Sequence, residues 1–151
     1  MPSGHSKKKP EDINRNPLKE VSMSEEDRRE FTLGVELFNA GKFWHAHEAW
    51  ENVWKRHDED ERLFFQGLIQ LSAAFHHVLI KKSFAGIVNN FDKAYAKLEV
   101  FQPSYLGVDV MQLLRSIEEG RGEAARRGEK GMEKFNPELI PKLQYRPHEA
   151  E

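Results

Sequence analysis

This sequence predicts an all-α fold, a compact antiparallel bundle of about five helices built from helical hairpins, and three observations carry the prediction. Apolar residues recur at helical spacing, in Phe31, Val35 and Phe38 and again in Phe84, Ile87, Val88, Phe91, Ala94, Tyr95 and Leu98. Helix starts and stops flank these runs, with Ser24, Ser83 and Asp109 before them and glycine or proline after. The connection around Gly41 is so short that the two helices it joins must form an antiparallel hairpin.

Taken in order, helix one spans 24–40. Ser24 caps it, Glu25, Glu26 and Asp27 place negative charge at the positive end of its dipole, and Asn39, Ala40 and Gly41 stop it. Helix two runs over 43–56 and yields to the charged linker 57–61, where His57 beside Asp58 reads as a solvated pair. Helix three, 62–81, is apolar on nearly every side and should be the most buried element. Helix four starts after Ser83 and ends near Phe101, because Pro103 prevents simple continuation. A loop at Tyr105, Leu106 and Gly107 leads to helix five, 110–119, capped by Asp109 and ended by Gly120.

These elements define a bundle core over 23–120. Residues 1–22, with Pro2, Gly4, Pro10, Pro17 and the Lys7, Lys8, Lys9 triplet, hold too little apolar surface to offset the entropy of ordering and are expected as a disordered tail. Residues 121–151 are expected to wrap the bundle as an extended segment, pinned by Phe135, Leu139, Ile140, Leu143 and Tyr145, since Pro137, Pro141 and Pro147 rule out a long helix.

Composition narrows the function classes. The 151 residues suit one domain, and 23 Lys plus Arg balance 25 Asp plus Glu, so no net field draws nucleic acid or a membrane surface. The basic cluster of Arg121, Arg126, Arg127 and Lys130 is diluted by Glu123 and Glu129 and reads as a solvated face. Cysteine is absent, which removes thiol nucleophiles and thiolate ligands. The longest apolar run, 63–80, is interrupted by two Gln, a Ser and two His, so no membrane span is read and a cytoplasmic protein is the plain expectation.

The chemistry concentrates in 43–54, FWHAHEAWENVW, which holds three Trp, two His and two Glu. His47 and Glu51, four residues apart, share a helix face with Phe43, Trp50 and Trp54, while Glu48 points about a quarter turn away. On helix three, Gln66, Gln70 and His77 fall on one stripe through Ala73, with His76 off it. Packed antiparallel, the two helices would bring His47, Glu48, Glu51, Trp54, Gln66, Gln70 and His77 into one cavity. Three readings of that cluster stand side by side. It is a buried hydrogen-bond network that fixes helix register. It is a divalent metal site for zinc, manganese or iron, held by His47, Glu51 and His77, in a hydrolase-like enzyme. Or it is a metal-free pocket for a small molecule or protein, with Glu48 and Glu51 as the catalytic candidates. An exposed Trp44, expected on the side of helix two opposite Trp54, offers a homodimer contact.

Two sequence patterns bear on relatedness. Phe43 and Phe84, Trp50 and Phe91, and Trp54 and Tyr95 repeat at a step of 41 residues, from 50 to 91, as two related hairpins would. More specifically, Gly41, Phe43, Ala46, His47, Glu48, Glu51 and Trp54, followed by the Gln-Gly-Leu-Ile-Gln run from Gln66 to Gln70, resemble the signature of domain-of-unknown-function family 309. The likeness covers about 31–101 and implies a compact helical bundle of unassigned activity. The turn at Lys81, Lys82 and Ser83 departs from a Gly-containing turn common in such proteins.

Overall fold

The computed structural model of the protein describes residues 20–147; the Lys7, Lys8, Lys9 run, His5, His148 and most of the tail expected over 1–22 lie outside them. Five α-helices follow in order: α1 Glu25–Asn39, α2 Phe43–Lys55, α3 Glu61–His76, α4 Phe84–Leu98 and α5 Val110–Arg127. Each packs on its chain neighbour, and α3 sits between α2 and α4 with the most extensive packing of the molecule. The fold is all-α, with one two-stranded hairpin of β1 Ser104–Tyr105 and β2 Val108–Asp109.

The helix starts are set by the residues the sequence offers. Ser24, Ser83 and Asp109 each accept, on their side-chain oxygens, the backbone N–H three residues on. Gly41, at φ +79°, turns the chain from α1 into α2. The close approach of these two helices rests on Gly34, where a Cβ would overlap the Trp50 ring, and the Trp50 indole N–H donates to the Phe31 carbonyl at 3.2 Å. Around Trp50 the core is phenylalanine: Phe31, Phe38, Phe64, Phe65, Phe75, Phe91 and Phe101 are all almost wholly buried. Several rings meet edge to face, Phe38 to Phe43 at 4.9 Å and Phe75 to Phe91 at 5.3 Å, an arrangement favoured by the aromatic quadrupole.

The last turn of the third rod is a π-helix, His77–Lys81, closed by the Lys82 N–H donating to the His77 carbonyl at 2.5 Å. Together Glu61–Lys81 is long and apolar enough to cross a membrane, with mean hydropathy 1.4, but 67% of its apolar window is buried inside the bundle. Lys82 then turns the chain in the left-handed region, at φ 51° and ψ 35°.

Two boundaries differ from expectation. Helix five does not end at Gly120 but runs on to Arg127, where Gly128 at φ +73° stops it. Gly120 serves packing instead, since a Cβ there would stand 2.7 Å from Phe91 of α4. A glycine that lets two helices touch looks, in sequence, like a glycine that ends one. The stretch expected as a plain loop at 105–107 is the tip of the hairpin, with Leu106 (φ 49°) and Gly107 (φ 81°) supplying the two left-handed residues such a turn requires.

Beyond α5 the chain makes two short 3-10 turns and crosses back over the bundle. Phe135 and Leu143 are buried, and Leu139, Ile140 and Tyr145 pack on the core, as expected of the pinning residues. Polar contacts fix the register: the Leu143 N–H donates to Asn39 Oδ1 at 2.7 Å, and Tyr145 Oη lies 3.2 Å from Thr32 Oγ1.

Candidate functional site on the outer face of helix three

Helix α2 lies antiparallel along α3, with a Trp at each end of the seam. At one end the Arg62 guanidinium covers the Trp54 ring at 4.4 Å. At the other, Trp44 meets His76 at 5.4 Å between ring centres. Trp44 is exposed (49%), as expected, but it is not opposite Trp54, because both rings reach α3. Trp44 also stacks on His47, with ring centres 4.7 Å apart and planes 9° from parallel.

His47 and Glu51 approach as the i, i+4 spacing requires, Nδ1 to Oε1 at 3.5 Å. That is an ion-pair distance without hydrogen-bond alignment, so His47 Nδ1 stays buried and unpartnered. Glu48 stands outside the seam, 3.4 Å from His45. With side chains 57% and 41% exposed, Glu48 and Glu51, the two catalytic candidates, are solvated at the edge of the seam rather than enclosed in a cavity.

The two neighbouring histidines of the third rod divide in the reverse of the expected way. His76, expected off the stripe, is the one that faces α2. His77 rests against α4, where a Cβ on Gly86 would stand 2.7 Å from its Nδ1. Gly67 marks the same side, its Cβ position 2.9 Å from Leu98 of α4. Successive residues in a helix are about 100° apart, so a rod wedged between two helices sends adjacent side chains to different seams. Gln70, two turns before His77, shares the α4 side, and its Oε1 and His77 Nδ1 are buried without partners. Gln66 is half-buried.

The seven predicted residues are therefore divided between α2 and the α2 and α4 sides of the third rod. Among the described residues no group of three or more His or carboxylate side chains stands where it could hold a metal ion, so the set of His47, Glu51 and His77 expected for zinc, manganese or iron is not gathered. Burial lowers the proton affinity of His47 against the opposing pull of Glu51 and Glu48. Burial likewise lowers His76, with Lys81 adding to it, and His77, with His76 and Lys81 adding to it. This face thus presents imidazoles held toward their neutral form beside a large exposed indole.

A second polar cluster was missed in the sequence. His57, read as a solvated partner of Asp58, is buried, with Nε2 2.8 Å from Asp27 Oδ2 and Nδ1 2.9 Å from Glu61 Oε2. Arg56 Nε donates to the other Asp27 oxygen at 2.5 Å. Both ring nitrogens face carboxylates, an arrangement that suits the imidazolium, since each then donates. The hydrogen bond to Glu61 raises the affinity of His57 for its proton, burial opposes, and Asp27 adds to the rise. Burial alone would raise Asp27 and Glu61, yet the hydrogen bonds from Arg56 and His57 hold Asp27, and that from His57 holds Glu61, below the ordinary carboxylate range. The available signal was the i, i+4 spacing of His57 and Glu61 across the start of α3; Asp27 lies 30 residues upstream, which no local pattern reveals. With both nitrogens occupied, His57 serves as a clamp between α1 and the α2–α3 turn, not as a free base.

Comparison with known proteins returns one family model, over part of the chain. A search of curated proteins returns no match. The family model described as Domain of unknown function (DUF309) matches residues 31–89, which take in the His47, Glu51 and Trp54 helix and the Gln66 to Gln70 run. Across that stretch the chain is similar to the family of domains of unknown function numbered 309.

Proposed function

We propose that this small helical protein is a non-catalytic binding module whose recognition surface is the outer face of α2 and α3, centred on Trp44. The observation that carries the reading is the Trp44 ring, half exposed yet held flat on His47 and edged by His76. A large indole kept in water forgoes the gain from burial, about 25 cal/mol for each Å² of apolar surface left wet, and exposed Trp is typical of binding anchors. His47 and His76, which burial holds toward the neutral form, offer hydrogen bonds on both sides with less charge to desolvate. The wet edge positions of Glu48 and Glu51 weigh against acid-base catalysis, which needs a group held in reach of an enclosed reacting atom. We also propose a cytoplasmic setting, with which the balanced charge and the burial of the apolar third rod inside the bundle agree.

The test is a fragment screen by protein-observed NMR, using small aromatic and amide-bearing compounds. Hits should move the Trp44 indole and the His47 and His76 ring signals, and should vanish in Trp44→Ala. Hits confined to other surfaces, or an unchanged hit list in the variant, would overturn the assignment.

A further inference from the structure

We infer that the occupant of the Trp44 surface is a second copy of this chain, docked by a two-fold axis through the Trp44–His76 contact; this rests on the binding reading above and names its partner. Ile80, about one turn beyond His76, is 66% exposed, the most exposed large apolar side chain among the described residues, so Trp44 and Ile80 give the patch an apolar centre beside His76. The charges around that centre are arranged so that the surface complements itself. From Trp44, α2 runs inward and carries Glu48 one turn away; from His76, the third rod runs outward to the exposed Lys81 and Lys82. Glu48 lies four positions along the helix from Trp44 and Lys81 five from His76, so the acidic and basic groups flank the centre at similar distances, on the order of 6 Å along the helix axes. Neither lysine pairs with a carboxylate among the described residues. A half-turn about the centre lays Lys81 and Lys82 of each copy against Glu48 of the other, which satisfies both charge sets at once, as an isologous contact requires. Antiparallel packing of α2 on α3 is what makes this arrangement possible, because it sends the two helices away from the shared aromatic contact in opposite directions.

The experiment is sedimentation velocity on the full chain over a concentration series, at about 0.05 M and about 0.5 M salt, a range over which screening of exposed charges becomes strong. The dimer fraction should rise with concentration and fall at high salt. Trp44→Ala and Ile80→Asp, both at exposed positions, should each weaken association at least tenfold. The double change Lys81→Glu with Lys82→Glu should weaken it similarly, and adding Glu48→Lys to that double variant should restore it. A monomer at every concentration overturns the inference, and so does a dimer indifferent to salt and to the charge swap. The NMR screen separates the two readings: fragments that still bind Trp44 on a strict monomer leave the binding surface standing and remove only the second copy as its occupant.

Discussion

Replacing His57 by Ala removes the one imidazole that separates two buried carboxylates. Asp27 and Glu61 are 5% and 6% exposed, and each loses a hydrogen bond of 2.8 or 2.9 Å to the ring. Asp27 keeps Arg56, but Glu61 loses its hydrogen bond from the ring and both lose the group between them. Leaving a charge uncompensated inside a protein costs about 3–5 kcal/mol, a large share of the roughly 5–15 kcal/mol that holds a domain of this kind together. Converted at about 2–4 °C per kcal/mol, the melting midpoint should fall by roughly 10 °C. Urea unfolding near pH 6 reads the loss directly, and His57→Gln, which fills the space without the charge, should fall between the wild type and the Ala variant. The pH dependence follows from the sign of each shift. His57 binds its proton more tightly when folded, so its contribution is complete below the reference value of 6.5 and is lost as pH rises through its raised folded value. Asp27 and Glu61 bind theirs less tightly, so their contributions are present above 3.8 and 4.5 and are lost as pH falls through the lowered folded values. The cluster therefore stabilises most between about pH 4.5 and 6.5, and the gap between wild type and His57→Ala should close on either side of that window. A loss below about 1 kcal/mol at pH 6, or a gap that does not vary with pH, would mean that the ring is neutral or wet and would refute the clamp.

Three further substitutions probe the other features. Gly120→Ala improves intrinsic helix propensity by up to about 1 kcal/mol but sets a Cβ 2.7 Å from the Phe91 ring, so net destabilisation of about 1–2 kcal/mol is expected in thermal melts; a rise in stability would return Gly120 to the role of a weak helix position. Lys82→Gly relieves a left-handed non-glycine residue at φ 51° and should raise stability by several tenths to about 1 kcal/mol, with no gain if the turn can relax elsewhere. Gln70→Leu removes a buried acceptor without a partner and should raise stability by about 1 kcal/mol in urea titrations, whereas a loss of that size would show that Gln70 Oε1 is bonded in solution.

The sequence by itself determined the local parts. Ser24, Ser83 and Asp109 cap helices where their side chains compete for the first free N–H groups, and the periodic Phe and Leu positions face inward, because capping and amphipathic spacing act within a few residues. His47 and Glu51 meet for the same reason, since one helical turn suffices to bring them together. Tertiary structure decided what depends on a neighbour far along the chain. Whether His76 or His77 faces α2 follows from how α3 is rotated between its two flanking helices, and a difference of one residue changes the seam. Gly120 became a contact rather than a stop because Phe91 of α4 packs there. His57 became a buried clamp between carboxylates rather than a wet linker residue because Asp27 of α1 folds over it, 30 positions away. In each case the residue type allows two roles, and the choice rests on the protein that packs around it.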